Sequence, residues 1–96
     1  PLVSIPYTVE LNDIPMMVVQ HHKAAEFYDR CMDNFERLYQ EGEHNARVMA
    51  IAVHPYISGT PFRIKYFEKV LDEISKHDDV ALWTGGQVCD WYKSVT

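Results

Sequence analysis

The apolar positions of this 96-residue chain repeat one pattern three times: a short run of strand length, then residues at helical spacing. In the first round Leu2, Val3 and Ile5 lead through Pro6 into a polar turn holding Glu10, Asn12 and Asp13. Ala24, Phe27, Cys31, Phe35 and Leu38 then mark one face of a helix that ends near Gly42. A loop over 43–47 precedes Val48 to Val53, a run apolar on both alternating faces, which predicts a strand buried on both sides. Thr60-Pro61 predicts an N-cap followed by proline at the first helical position, with Phe67, Val70, Leu71 and Ile74 as the buried stripe. His77-Asp78-Asp79 makes the next turn and Val80 to Trp83 the third strand. Thr84 to Gln87 fits a capping box opening a last helix buried through Val88, Trp91, Tyr92 and Val95.

Strands alternating with helices at these connection lengths predict parallel strands joined by right-handed crossovers, an α/β fold. If the three strands lie in sequence order, such crossovers place the helices on one side and leave the other face of the all-apolar middle strand open. Either strand order switches or another piece of protein packs there. The simplest object that closes such a face is a curved part of a (β/α) barrel. The expected fold class is therefore α/β, with three consecutive β/α units forming a segment of a (β/α) barrel over residues 1–96. Pro1 in place of Met, with an apolar run starting at once, suggests a piece of a longer chain.

Composition narrows the picture. With 47% hydrophobic and 24% charged residues, the chain supports one domain and excludes a large multidomain enzyme. Nine basic against fourteen acidic residues give a net charge of −5, with no basic run longer than two, so a phosphate-tracking nucleic-acid surface is not expected. The longest apolar run is six residues against the roughly 20 a spanning helix needs, so no membrane partner is expected and the protein reads as soluble. Cys31 and Cys89 fall on helical apolar faces, which reads as buried free thiols in a cytoplasmic setting rather than a disulfide. The open sheet face also predicts a homo-oligomer.

In parallel α/β folds reactive residues gather past the carboxyl ends of the strands, here at 7–13, 54–59 and 83–86. His54 closes the middle strand, where an imidazole can protonate a leaving nitrogen or polarise a carbonyl. The same position suits a histidine hydrogen-bonded at a strand end for structural reasons alone. Glu10, Asn12 and Asp13 put two carboxylates and an amide on one loop, able to orient a partner group, though turns favour such residues for local bonding. His21, His22 and His44 lack the spacing of a zinc site and read as solvating residues near helix ends, so no metal is expected within this chain. Trp83 and Trp91 read first as core anchors, and Gly85-Gly86 lacks the Lys of a phosphate loop.

Taken in order, these segments resemble the polysaccharide deacetylase superfamily, and within it the allantoinase-like branch. Tyr7, Thr8, Glu10 and Asp13 fall on the four positions where the wider superfamily has Trp-Ser-x-Asp-x-x-Asp. Met49 to Pro55 is similar to the closing Leu-x-His motif, and Ile57-Ser58-Gly59-Thr60-Pro61-Phe62-Arg63 to the branch's Gly-x-Pro-x-Arg segment. Val80 to Gly86 resembles the closing strand and turn. The resemblance implies a barrel of the deacetylase type and His54 as general acid on the leaving nitrogen. It further implies that Asp13 or Glu10 belongs to a motif that positions an arginine and, through it, the base. Tyr7 and Asn12 join that substrate or base-orienting group, and Arg63 and Trp83 are placed as supports.

The superfamily's Asp-Asp, His-x-x-x-His and Arg-x-Pro-Tyr segments precede the matched region and do not occur in this chain. The resemblance thus implies the C-terminal portion of a longer catalytic domain, with a divalent metal held, if used, by upstream ligands. The expected function is hydrolysis of a non-peptide amide C–N bond, in an N-acetylated sugar or a cyclic amide, within carbohydrate metabolism. The expected partners are that substrate and the N-terminal part of the same barrel, with the chain inactive alone. The rival expectation is a non-catalytic α/β binding or assembly module.

Overall fold

The computed structural model describes residues 2–96; Pro1 lies outside the described residues. Three α-helices follow a π-helical turn at Ile14–Val19: α1 at Ala24–Glu41, α2 at Ile64–Ser75 and α3 at Gly85–Val95. The helix expected from the Ala24 to Leu38 spacing is α1. It buries Phe27, Cys31 and Phe35 on one stripe and closes at Gly42, whose N–H donates to the Leu38 carbonyl. α2 buries Val70 and Ile74 against it, while Phe67 is half-buried and Leu71 exposed. Its start lies at Ile64, because the expected cap, Thr60, instead closes a preceding turn with its hydroxyl on the Ile57 carbonyl.

The α/β barrel segment expected from the alternating pattern is not what the chain forms. Among the described residues there is no sheet, only a single parallel bridge between Asn12 and Ala52. A strand exists through its partner, and apolar alternation reports which side chains avoid water without supplying a neighbour to accept the backbone hydrogen bonds. Residues 2–8, 48–51 and 80–84 accordingly carry no regular secondary structure. The double-sided burial expected for Val48 to Val53 also fails. Val48 is 56% exposed, Ala52 alone is buried, and the other four are half-buried.

One core is built from α1, α2, the π-helical turn and the loop after His54. Leu11, Met16, Met17, Phe27, Cys31, Phe35, Ile57, Val70 and Ile74 form it, with Met49, Ile51 and Val53 packed on its edge. From the third unit Val80 packs on the edge of this core, and α3 stays outside it. α3 has the expected capping box, Thr84 with Gln87, yet none of its residues is buried, so Val88, Trp91, Tyr92 and Val95 do not form the stripe the spacing predicted. Trp83 and Trp91 are likewise exposed rather than core anchors. A groove of about 400 Å³ separates α3 from the first segment, lined by Leu2, Ile5, Val48, Val88, Trp91 and Tyr92 among others. The radius of gyration, 14.4 Å, is larger than the roughly 12.5 Å of a tightly packed chain of this length, which fits a core built mainly from the first two units.

Both cysteines are free, Cys31 buried and Cys89 half-buried. No described helix is long and apolar enough to cross a membrane.

Candidate functional site

The bridge that replaces the expected sheet sets up the site. The Ala52 N–H donates to the Leu11 carbonyl at 2.9 Å and the Asp13 N–H to the Ala52 carbonyl at 3.2 Å. These two bonds bring the loop ending in Asp13 beside the segment ending in His54, residues 41 positions apart. Asn12 secures the turn from within. Its amide donates to the Thr8 carbonyl and its Oδ1 accepts the Ile14 N–H, holding the first turn of the π-helical segment.

Asp13 is fully buried, and its carboxylate accepts three hydrogen bonds. The His54 backbone N–H donates to Oδ2 at 2.7 Å, the Ser58 hydroxyl donates to Oδ2 at 2.8 Å, and His54 Nδ1 lies 2.7 Å from Oδ1. Burial alone would push this carboxyl upward. The His54 N–H, the His54 imidazole and the Ser58 hydroxyl outweigh it and hold Asp13 below its ordinary value of 3.8, so it is ionised at neutral pH. An ionised carboxylate offers only acceptors, which places the shared hydrogen on Nδ1 of His54. Nε2 then has no hydrogen-bond partner among the described residues, and the His54 side chain is 30% exposed. The Tyr56 ring stands edge-on to the imidazole at 5.9 Å between centroids.

This pairing brings together two of the residues singled out from sequence and adds a third. Ser58 is almost fully buried and is not among the individual residues expected to carry chemistry. Its signal was the interval itself: Ser58 lies four residues after His54, with Pro55 following the histidine and Gly59 following the serine, where a tight turn returns the chain to its own start. The other candidates lie elsewhere. Glu10 is exposed, its carboxyl held below the ordinary range by its own backbone N–H first and by the Thr8 hydroxyl. Arg30 reaches this loop, but it donates to the Glu10 backbone carbonyl rather than to a carboxylate. Tyr7 is 71% exposed. Arg63 donates to the Ile57 carbonyl at 3.4 Å and lies over the Phe62 ring, and Trp83 stands on the unburied third segment.

His22 pairs with Glu26 at 2.5 Å, and His21 occupies the left-handed region with φ 59°. Among the described residues no three His, Cys, Asp or Glu side chains group as metal ligands. Both Asp13 oxygens are taken by His54 and Ser58, so this donor set does not fit a metal centre.

Comparison with known proteins gives two relatives. A Schizosaccharomyces pombe protein (strain 972), whose name assigns it provisionally to the polysaccharide deacetylases, is 32% identical over 89 residues, covering 91% of this chain and 28% of the relative. A Helicobacter pylori protein (strain 26695) named peptidoglycan deacetylase is 27% identical over a 100-residue alignment, covering 93% of this chain and 32% of the relative. The chain thus spans about a third or less of the length of the curated relatives it matches. No family model and no solved structure matches. At the level these relatives support, the chain is similar to carbohydrate and peptidoglycan deacetylases, which are hydrolases.

Proposed function

We propose that this chain contributes the proton-donating part of the site in a deacetylase-like hydrolase that cleaves a non-peptide amide C–N bond. The observation that carries this reading is the buried Asp13 carboxylate on Nδ1 of a partly exposed His54. Expelling nitrogen from a tetrahedral intermediate requires a proton at that nitrogen, because an amide anion is too poor a leaving group. Once protonated, His54 carries hydrogens on both nitrogens. Nδ1–H stays on Asp13, whose negative charge stabilises the imidazolium, and Nε2–H is transferred to the departing nitrogen. Asp13 orients the ring and fixes its tautomer without taking the proton itself.

The attacking water needs a separate base. In this proposal it comes from other parts of a longer catalytic unit of which this chain is the C-terminal portion, together with any metal. The substrate class is an N-acylated sugar or a cyclic amide. Tyr7 and Glu10, standing where the wider superfamily has Trp and Asp, favour the allantoinase-like branch and with it the cyclic amide.

The test is hydrolysis by the full-length protein carrying this chain, followed as acetate release from an N-acetylated oligosaccharide and as ring opening of a cyclic amide. His54→Ala should lower kcat by roughly 10²- to 10⁴-fold. The 96-residue chain alone should show no turnover above its own His54→Ala control. A variant that retains the wild-type rate, or an isolated chain that exceeds its control, would remove the basis of the proposal.

A further inference from the structure

All three donors to Asp13 come from one short stretch of chain. The Ile57 and Ser58 N–H groups both donate to the His54 carbonyl at 3.0 Å, folding 54–58 into a closed turn. Gly59 permits the return, since a Cβ there would sit 2.5 Å from the Pro55 carbonyl oxygen. The turn delivers the Ser58 hydroxyl to the same carboxylate that the His54 backbone and ring already address. Two donors therefore converge on Oδ2 and one on Oδ1.

That asymmetry matters because the terminal torsion of an aspartate is broad and roughly two-fold. With Oδ2 pinned by both the His54 N–H and the Ser58 hydroxyl, the carboxylate plane is fixed and Oδ1 stays aimed at the imidazole. With one pin removed it is free to swing, and the ring loses the acceptor that selects its tautomer. We infer that Ser58 is a positioning residue for His54: its hydroxyl holds Asp13 in the orientation that keeps the imidazole hydrogen on Nδ1 and leaves Nε2 to exchange protons at the site. The consequence for catalysis rests on the reading of His54 as proton donor, whereas the effect on the tautomer does not.

The tautomer is read directly from imidazole ¹⁵N shifts of the 96-residue chain, at a pH that leaves the ring neutral. The wild type should show His54 with hydrogen on Nδ1. Ser58→Ala should raise the share with hydrogen on Nε2 roughly five- to tenfold, the scale of one ordinary hydrogen bond. Ser58→Cys, close in volume and a weak donor, should fall between the two and decides the matter if the alanine variant does not fold. A folded Ser58→Ala or Ser58→Cys chain with the wild-type ratio overturns the inference. If the ratio moves while His54→Ala leaves hydrolysis intact, Ser58 positions His54 and the hydrolase reading falls. If hydrolysis needs His54 and the ratio does not move, only the role of Ser58 falls.

Discussion

Replacing Asp13 by alanine removes the acceptor for three donors at once, and the structure sets the scale of the loss. An unsatisfied buried donor costs about 1–3 kcal/mol. The Ser58 hydroxyl is buried and the His54 N–H partly so, but the hydroxyl can rotate and the imidazole, 30% exposed, can turn to water. Releasing the carboxylate from its buried position returns some of its desolvation cost. The expected net loss is about 2–4 kcal/mol, large beside the roughly 5–14 kcal/mol that holds a domain of this size. Urea unfolding followed by circular dichroism should show the midpoint falling by about 1–2 M with the slope unchanged.

Asp13→Asn separates charge from shape. The amide keeps the volume but turns one NH₂ toward donors that need an acceptor, so it too should destabilise. The wild type should also lose stability in acid where the variant does not. Asp13 in the folded chain titrates below 3.8, so its contribution is complete above that value and is lost as pH falls through the lowered one. A loss under about 0.5 kcal/mol in Asp13→Ala, or equal acid slopes in wild type and Asp13→Asn, would refute the claim that this carboxylate organises the site.

Two further outcomes follow from the packing. Gly59→Ala should destabilise by about 1–3 kcal/mol in thermal unfolding, because its Cβ meets backbone atoms of Pro55 that cannot move without opening the His54 turn; a wild-type Tm would mean that turn is loose. Burial pushes the Cys31 thiol up to about 12, so at pH 8 a maleimide should modify Cys89 quickly and Cys31 only on unfolding, with equal rates at the two positions counting against the core assignment.

What could be read from sequence divides along a physical line. α1 and α2 were legible because a helix satisfies its backbone within itself, and the spacing of Phe27, Cys31 and Phe35 or Val70 and Ile74 then reports which face is buried. The three strands were not, since Val48 to Val53 states a preference for burial but the pairing is a property of another segment. α3 shows a different limit. Its capping box was readable because it is local, whereas the burial expected of Val88 and Trp91 depends on what packs against the helix, and the described residues leave no side chain of α3 buried. Asp13 and His54 were each visible as residues able to carry chemistry, yet the expected partner of Asp13 was an arginine. Contact between residues 41 apart is not encoded in either residue's own surroundings.

The single bridge explains why the site persists where the sheet does not. Its two backbone bonds join Leu11 and Asp13 to Ala52, two residues before His54. A slip of one residue would turn Asp13 to the opposite side of its segment, and a slip of two would carry it more than 6 Å along the chain, beyond hydrogen-bond reach of the imidazole. The register is fixed at both ends, by Asn12 closing the turn that follows and by the His54 N–H on the Asp13 carboxylate. Backbone pairing here goes no further than the acid pair requires. The most constrained part of the chain is therefore a charged, buried and partly accessible contact, and hydrophobic burial alone would not have selected a carboxylate for the most enclosed position in it.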